Sequence, residues 1–300
     1  DVCSSDLAER RAHAGDGALV ITMFAAGAWF LIAGLGGLVA LVTVLALSIA
    51  GKVRSAIVAL PRTQSILGET FVAWMLLFLG THFLMGRLGD GGEPTAGRLW
   101  FGMALTFASL AALSWARCRG LSWRELREAA GLRFEGGAWR LAWMSGVSYL
   151  CALPCMGAGI ALGMLLADML GGRSFQDVTH PVQEMLPGAS LDVKLALFAL
   201  ASVAAPIVEE TAFRGLLYGH VRQQGARWPR ALSIAFAMLF SATVFAAIHP
   251  QGVLAVPALA GVSLGFCITR EWSGSVVPGM VAHGLHNGVL LALNVALQSS

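Results

Sequence analysis

Long apolar runs alternate with short charged or Gly/Pro-rich stretches along the whole chain. The runs fall at about 18–50, 66–85, 100–116, 141–170, from 193 onward, 231–248, 252–269 and 276–297. A helix that crosses a bilayer needs about 20 predominantly apolar residues, so the pattern predicts an all-α polytopic membrane protein with about eight transmembrane helices. The first run has 33 residues without a charge and only glycines at 34–37 to turn on, so it reads as one long or tilted span. The sparse polar residues of the second run, Glu69 and His82, sit near its ends and read as interfacial.

Between the runs, 52–62, 87–98, 171–192, 223–229 and 270–275 read as connections, from their charges and from Gly89, Asp90, Gly91, Gly92, Pro94, His180-Pro181 and Pro187-Gly188. The most polar stretch, 117–140, holds six Arg and three Glu. Its Ser122-x-x-Glu125 pattern is a helix-capping signature, predicting a helix on the membrane surface. Pro206 is expected to bend the fifth span. In the fourth, Pro154 is a potential kink and Gly157, Gly159 and Gly163 offer a close-packing face, as Gly261 and Gly265 do in the seventh. The chain thus divides into an N-terminal tail 1–17, whose residues 1–7 resemble the translation of a sequencing-adaptor tail, spans one to four within 18–170, and a core at 193–297.

Composition agrees with the pattern. The chain is 57% hydrophobic and 12% charged with a mean hydropathy of +0.72, against about 25% charged residues in soluble domains. Its net charge of +3 is too small for a nucleic-acid partner and is better read as topology. With eight spans, one side bears both termini with Arg10, Arg11, Arg87, Arg98 and Arg173. The other bears Lys52, Arg54, Arg62, the six arginines of 117–140, Arg222, Arg227, Arg230 and Arg270. The positive-inside rule puts this second side in the cytoplasm and the termini outside. Eighteen Arg against two Lys suggests a GC-rich bacterial genome, hence a bacterial cytoplasmic membrane with its lipids as partners. The five cysteines form no C-x-x-C pair and no disulfide framework is expected.

Candidate chemistry begins at Val208-Glu209-Glu210-Thr211-Ala212-Phe213-Arg214-Gly215, three ionisable groups in an apolar span. Such groups are costly in lipid and mark functional cavities. On a helix Glu210 and Arg214 lie four apart in the favourable order for an ion pair, which leaves Glu209 about 100° away without that partner. His249 follows Phe245 by four residues at the end of the sixth span. In the eighth, His283 and Asn287 share a face and His286 projects to the side. Each unpaired polar group in lipid costs several kcal/mol, so these residues need one another. Counted from the 223–229 turn, Glu209 lies about 20 Å deep and His249 about 30 Å, so they meet only if the two helices are offset.

The E-E-x-x-x-R of Glu209, Glu210 and Arg214, the F-x-x-x-H of Phe245 and His249, and the H-x-x-x-N of His283 and Asn287 resemble the three motifs of the CAAX-protease and bacteriocin-processing (CPBP, or Abi) family. These are intramembrane endopeptidases that include the type II CAAX prenyl proteases. The resemblance covers about 201–290, with all three motifs in order. It implies an active site in a cavity of the last four spans. There Glu209 acts as general base on a water, His249 works with it, His283 and Asn287 stabilise the oxyanion, and Glu210, Arg214 and Phe245 support the site. The substrate it implies is a peptide or membrane protein. Glutamate-activated water without a cofactor is the preferred chemistry. The alternative is a Zn2+ site of Glu209, His249 and His283, although no H-E-x-x-H places two ligands on one helix turn. Other functional classes are a non-proteolytic scaffold or bacteriocin self-immunity protein, and a transporter, which the lack of inverted halves disfavours.

Overall fold

The computed structural model describes residues 2–52, 55–57, 63–88, 95–170 and 185–299. The expected connections at 53–54, 58–62, 89–94 and 171–184, with Arg54, Pro61, Arg62, Arg173 and His180, lie outside the described residues. Among those described there are helices and no strands. The α-helices are α1 (Val2–Ile49), α2 (Gln64–Leu88), α3 (Ala96–Ala108), α4 (Leu113–Cys118), α5 (Trp123–Ala129) and α6 (Ala138–Met169). They continue with α7 (Leu191–Ala199), α8 (Ala205–Glu209), α9 (Tyr218–Gln224), α10 (Arg230–Ala247), α11 (Val256–Ser273) and α12 (Val277–Ser299).

Among the described residues, eight helical stretches are long and apolar enough to cross a membrane: Met23–Ile49, Ser65–Arg87, Ala96–Cys118, Ala138–Met169, Leu191–Arg227, Arg230–Ala247, Val253–Ser273 and Val277–Leu297. The chain is an all-α multi-pass membrane protein. Only helices close all their backbone hydrogen bonds within a segment surrounded by lipid, so the apolar runs become spans nearly residue for residue. The exposed apolar residues, such as Leu31, Ile32, Leu35, Val39, Leu76 and Leu239, form the lipid-facing surface.

Helix α6 is the hub, with α1, α11 and α12 packed on it. Glycines set how closely the backbones approach. A Cβ added at Gly159 would strike the backbone at Pro257 and Ala258, one at Gly261 would strike Cys155 and Met156, and one at Gly265 would strike Ala152. The small-residue spacings of the fourth and seventh spans therefore meet each other. A second layer is the cluster of Leu67, Phe71, Trp74, Ala212, Phe213, Leu216 and Phe245, which joins α2 to the fifth and sixth spans. Within it Trp74 donates from Nε1 to Ser109 Oγ at 3.0 Å.

Three local expectations change. The third span is interrupted by a 3-10 turn at Ser109–Ala112. Segment 270–275 is not all connection: α11 runs to Ser273 and ends on Gly274, whose φ of 72° is the left-handed cap that glycine adopts at no steric cost. Arg270 and Glu271 are therefore buried helix residues. The fifth span is not a simple bent α-helix, as described below. The surface helix is present as α5, with the full Ser122–Glu125 capping box.

Candidate active site

The fifth span carries two π-helical segments, Leu200–Ala204 and Glu210–Leu217, on either side of the short α8. Pro206 has no N–H to give the preceding turn, and a π segment widens the ring of backbone bonds at such points. Carbonyls displaced in this way need outside partners. Helix α12 supplies them: Asn287 donates from Nδ2 to Ala201 O at 2.7 Å, and Gly284 leaves room for Ser202 O, which a Cβ would strike. The irregular helix and the helix that carries His283 are thus fitted to each other by backbone shape.

Glu210 and Arg214 form the expected pair, with Nη1 3.0 Å from Oε1 and both side chains fully buried. The pair has ion-pair distance without hydrogen-bond direction. Two aromatic faces complete the surroundings of the guanidinium: its carbon lies 4.5 Å from the Phe245 centroid and 5.3 Å from that of Phe266. Desolvated cation–π contacts of this kind contribute about 2 kcal/mol. The Cys267 side chain also lies within reach of Arg214 and Ser241.

His283 joins the two glutamates. Its Nδ1 donates to Glu210 Oε1 at 3.0 Å, and its Nε2 lies 3.9 Å from Glu209 Oε2. Phe266 stacks on the imidazole with centroids 5.1 Å apart. Glu209 keeps 16% of its side chain accessible, whereas Glu210 keeps 1%. At Gly279 a Cβ would sit 3.2 Å from Glu210 Oε2, so this glycine lets the carboxylate lie against the α12 backbone.

His249 follows α10, and its Nδ1 donates to Phe245 O at 2.6 Å. The Phe245 ring lies between the two histidines, 4.3 Å from His249 and 6.2 Å from His283 by centroid. Ser241 donates to Phe213 O at 3.1 Å, tying the fifth and sixth spans together at nearly equal distances from the 223–229 turn. The structure therefore gathers Glu209, Glu210, Arg214, Phe245 and His283 directly, joins His249 through Phe245, and ties Asn287 to the π-segment backbone. His286 is buried beside Tyr149, with ring centroids 6.0 Å apart.

Several residues escaped the sequence reading. Phe266 and Gly279 carried no signal of their own in an apolar run. Arg270, with 2% of its surface exposed, donates from Nε to Arg214 O at 3.3 Å and from Nη2 to Ala129 O at 3.0 Å. Its neighbour Glu271 accepts from Tyr218 Oη at 2.6 Å and pairs with Arg222 at 3.2 Å. The signal was available: Gly274 marks a helix end at Ser273, which places both charges inside the last turns.

Glu69 and His82 stay apart from this site. Glu69 pairs with Arg119 at 2.7 Å. His82 is exposed, donates from Nδ1 to Phe78 O and lines a cavity of about 360 Å³ with Arg98, Thr106 and Leu200. Among the described residues no group of three or more His, Cys, Asp or Glu side chains is arranged to hold a metal ion. In the residues of the alternative zinc set, His283 and His249 engage Nδ1 with Glu210 and Phe245 O, which leaves Nε2 of each ring as the nitrogen that could meet a ligand, and His283 Nε2 lies 3.9 Å from Glu209 Oε2.

A polytopic helical membrane protein with a buried Glu-Glu-Arg-His cluster is the class that fold and site define. Residues 191–289 match the family described as type II CAAX prenyl endopeptidase Rce1-like. The match spans α7 to the middle of α12 and contains all three motifs. No curated protein and no solved structure matches the chain.

Proposed function

We propose that this chain is an intramembrane endopeptidase whose general base is Glu209. The observation that carries the reading is the contrast between two adjacent carboxylates. Glu210 is consumed by Arg214, His283 and burial, while Glu209 remains accessible beside His283 Nε2. A glutamate so placed takes a proton from water as the oxygen attacks the carbonyl carbon of the scissile amide. It returns that proton to the amine as the C–N bond breaks.

His249 works with Glu209 on the water, and the His283 and Asn287 side chains receive the developing oxyanion. Asn287 uses one amide hydrogen on Ala201 O and retains a second. With Nδ1 of His283 held by Glu210, its Nε2 faces Glu209 at 3.9 Å. Glu210, Arg214 and Phe245 support and position. No step of this mechanism is routed through a metal.

The substrate class is a peptide or protein at the membrane, consistent with a family named for CAAX prenyl endopeptidases. The arginine distribution supports a bacterial cytoplasmic membrane with the 117–140 side inside and both termini outside. Substrate-trapping proteomics with Glu209→Gln against the unaltered protein tests the proposal. A membrane peptide or protein that accumulates with the variant is the expected result. No accumulation, with an unchanged cellular phenotype, transfers the weight to the scaffold or self-immunity reading.

A further inference from the structure

Away from the motifs, a slot of about 820 Å³ runs between α2, α9 and α10. Phe71, Val72, Leu76, Leu217, Phe240 and Val244 form its apolar walls. Val72 and Leu76 are 56% and 68% exposed on the lipid-facing surface. Along α2 the lining residues extend from Ser65 to Leu76, about 17 Å at the helical rise. The slot lies open to the lipid-facing surface, where acyl chains surround it.

The mouth of the slot is polar and lies on the side of the 117–140 segment. Glu69 accepts from Trp115 Nε1 at 3.0 Å and from Arg119 Nε at 2.7 Å and Nη2 at 3.3 Å. These bonds hold the Arg119 guanidinium, 47% exposed, at the rim with Nη1 available. At the same end Gly68 lets the His220 ring pack closely on α2, since a Cβ there would sit 2.9 Å from it. A held, accessible guanidinium above a hydrocarbon slot has the order of charges and apolar surface found in a phospholipid.

We propose that this slot is a bound-phospholipid site, with acyl chain in the slot and headgroup phosphate on Arg119. Its inner wall is the outer face of the second π segment: Leu217 ends that segment, and Phe71 packs edge-on against Phe213 at 5.6 Å. An occupying chain therefore supports the segment that carries Glu210 and Arg214. The site stands independently of the protease reading, since its readout is lipid retention.

The test is mass-spectrometric quantification of phospholipid retained by the detergent-extracted full chain after delipidation and incubation with phosphatidylglycerol, phosphatidylcholine or palmitic acid. The unaltered protein is expected to retain one phospholipid, as is the control Leu35→Trp on the exposed face of α1. Val72→Trp and, separately, Leu76→Trp abolish retention by filling the slot. Arg119→Gln weakens it about fivefold, the contribution of one surface arginine. Equal retention by the slot variants and the control overturns the proposal. So does palmitic acid binding as well as phospholipid, which would identify a plain hydrocarbon groove.

Discussion

His283 donates from Nδ1 to Glu210 across 73 residues of chain and 3.0 Å of space. That bond makes Glu210 the shared anionic partner of an arginine and a histidine and separates its task from that of Glu209. Removing its charge leaves Arg214 buried without a counter-ion, a loss of about 3–5 kcal/mol. Glu210→Gln is therefore expected to lower the thermal midpoint of the purified protein strongly. Glu209→Gln keeps the fold and loses turnover. Thermal unfolding of the two variants side by side distinguishes them, and equal destabilisation would remove the assignment of separate roles.

Arg214 is held as much by shape as by charge. A lysine keeps the charge but cannot present a flat guanidinium to the Phe245 and Phe266 faces. Arg214→Lys is expected to cost about 2 kcal/mol of stability. Phe266→Leu in the same assay reports the part that comes from the ring. If Arg214→Lys melts with the unaltered protein, the aromatic contacts contribute nothing.

How much of this was legible in the sequence follows from what each element needs. The spans were legible because lipid forces every backbone group into a helix, and their ends fall close to the charges and turn residues. The Glu210–Arg214 pair was legible from its four-residue spacing. The π segments were not: Pro206 signals a disturbance, but its form depends on Asn287 and Gly284 arriving from α12. Arg270 and Glu271 were misread because charge in an apolar chain suggests a loop, whereas their partners, Arg214 O and Tyr218, become visible only after packing. His283 was recognised, but its link to both glutamates depends on how α12 crosses the fifth span.

The glutamate-activated water and the zinc alternative differ in metal dependence. On the glutamate-water reading, hydrolysis is expected to survive removal of metal ions. Turnover should stay within about twofold after 1,10-phenanthroline and dialysis, well below the several kcal/mol that a catalytic Lewis acid supplies. Complete loss with recovery on adding Zn2+ would establish the zinc alternative.

Gly279 offers the finest probe of the site, because nothing but space is at stake there. A methyl group at this position meets Glu210 Oε2 at 3.2 Å, and that oxygen is buried in a cluster with little freedom to yield. Overpacking of this kind costs about 1–3 kcal/mol. The displaced carboxylate carries both the Arg214 contact and the His283 bond with it. Gly279→Ala should therefore reduce kcat more than it raises KM, since the disturbance passes through His283 rather than through a substrate surface. Gly157→Ala is the matching control, with no atom within 4 Å of the added carbon, and should leave both constants unchanged. A Gly279→Ala enzyme with unaltered kcat would show that Glu210 can shift without moving His283, and would remove Glu210 from the positioning role.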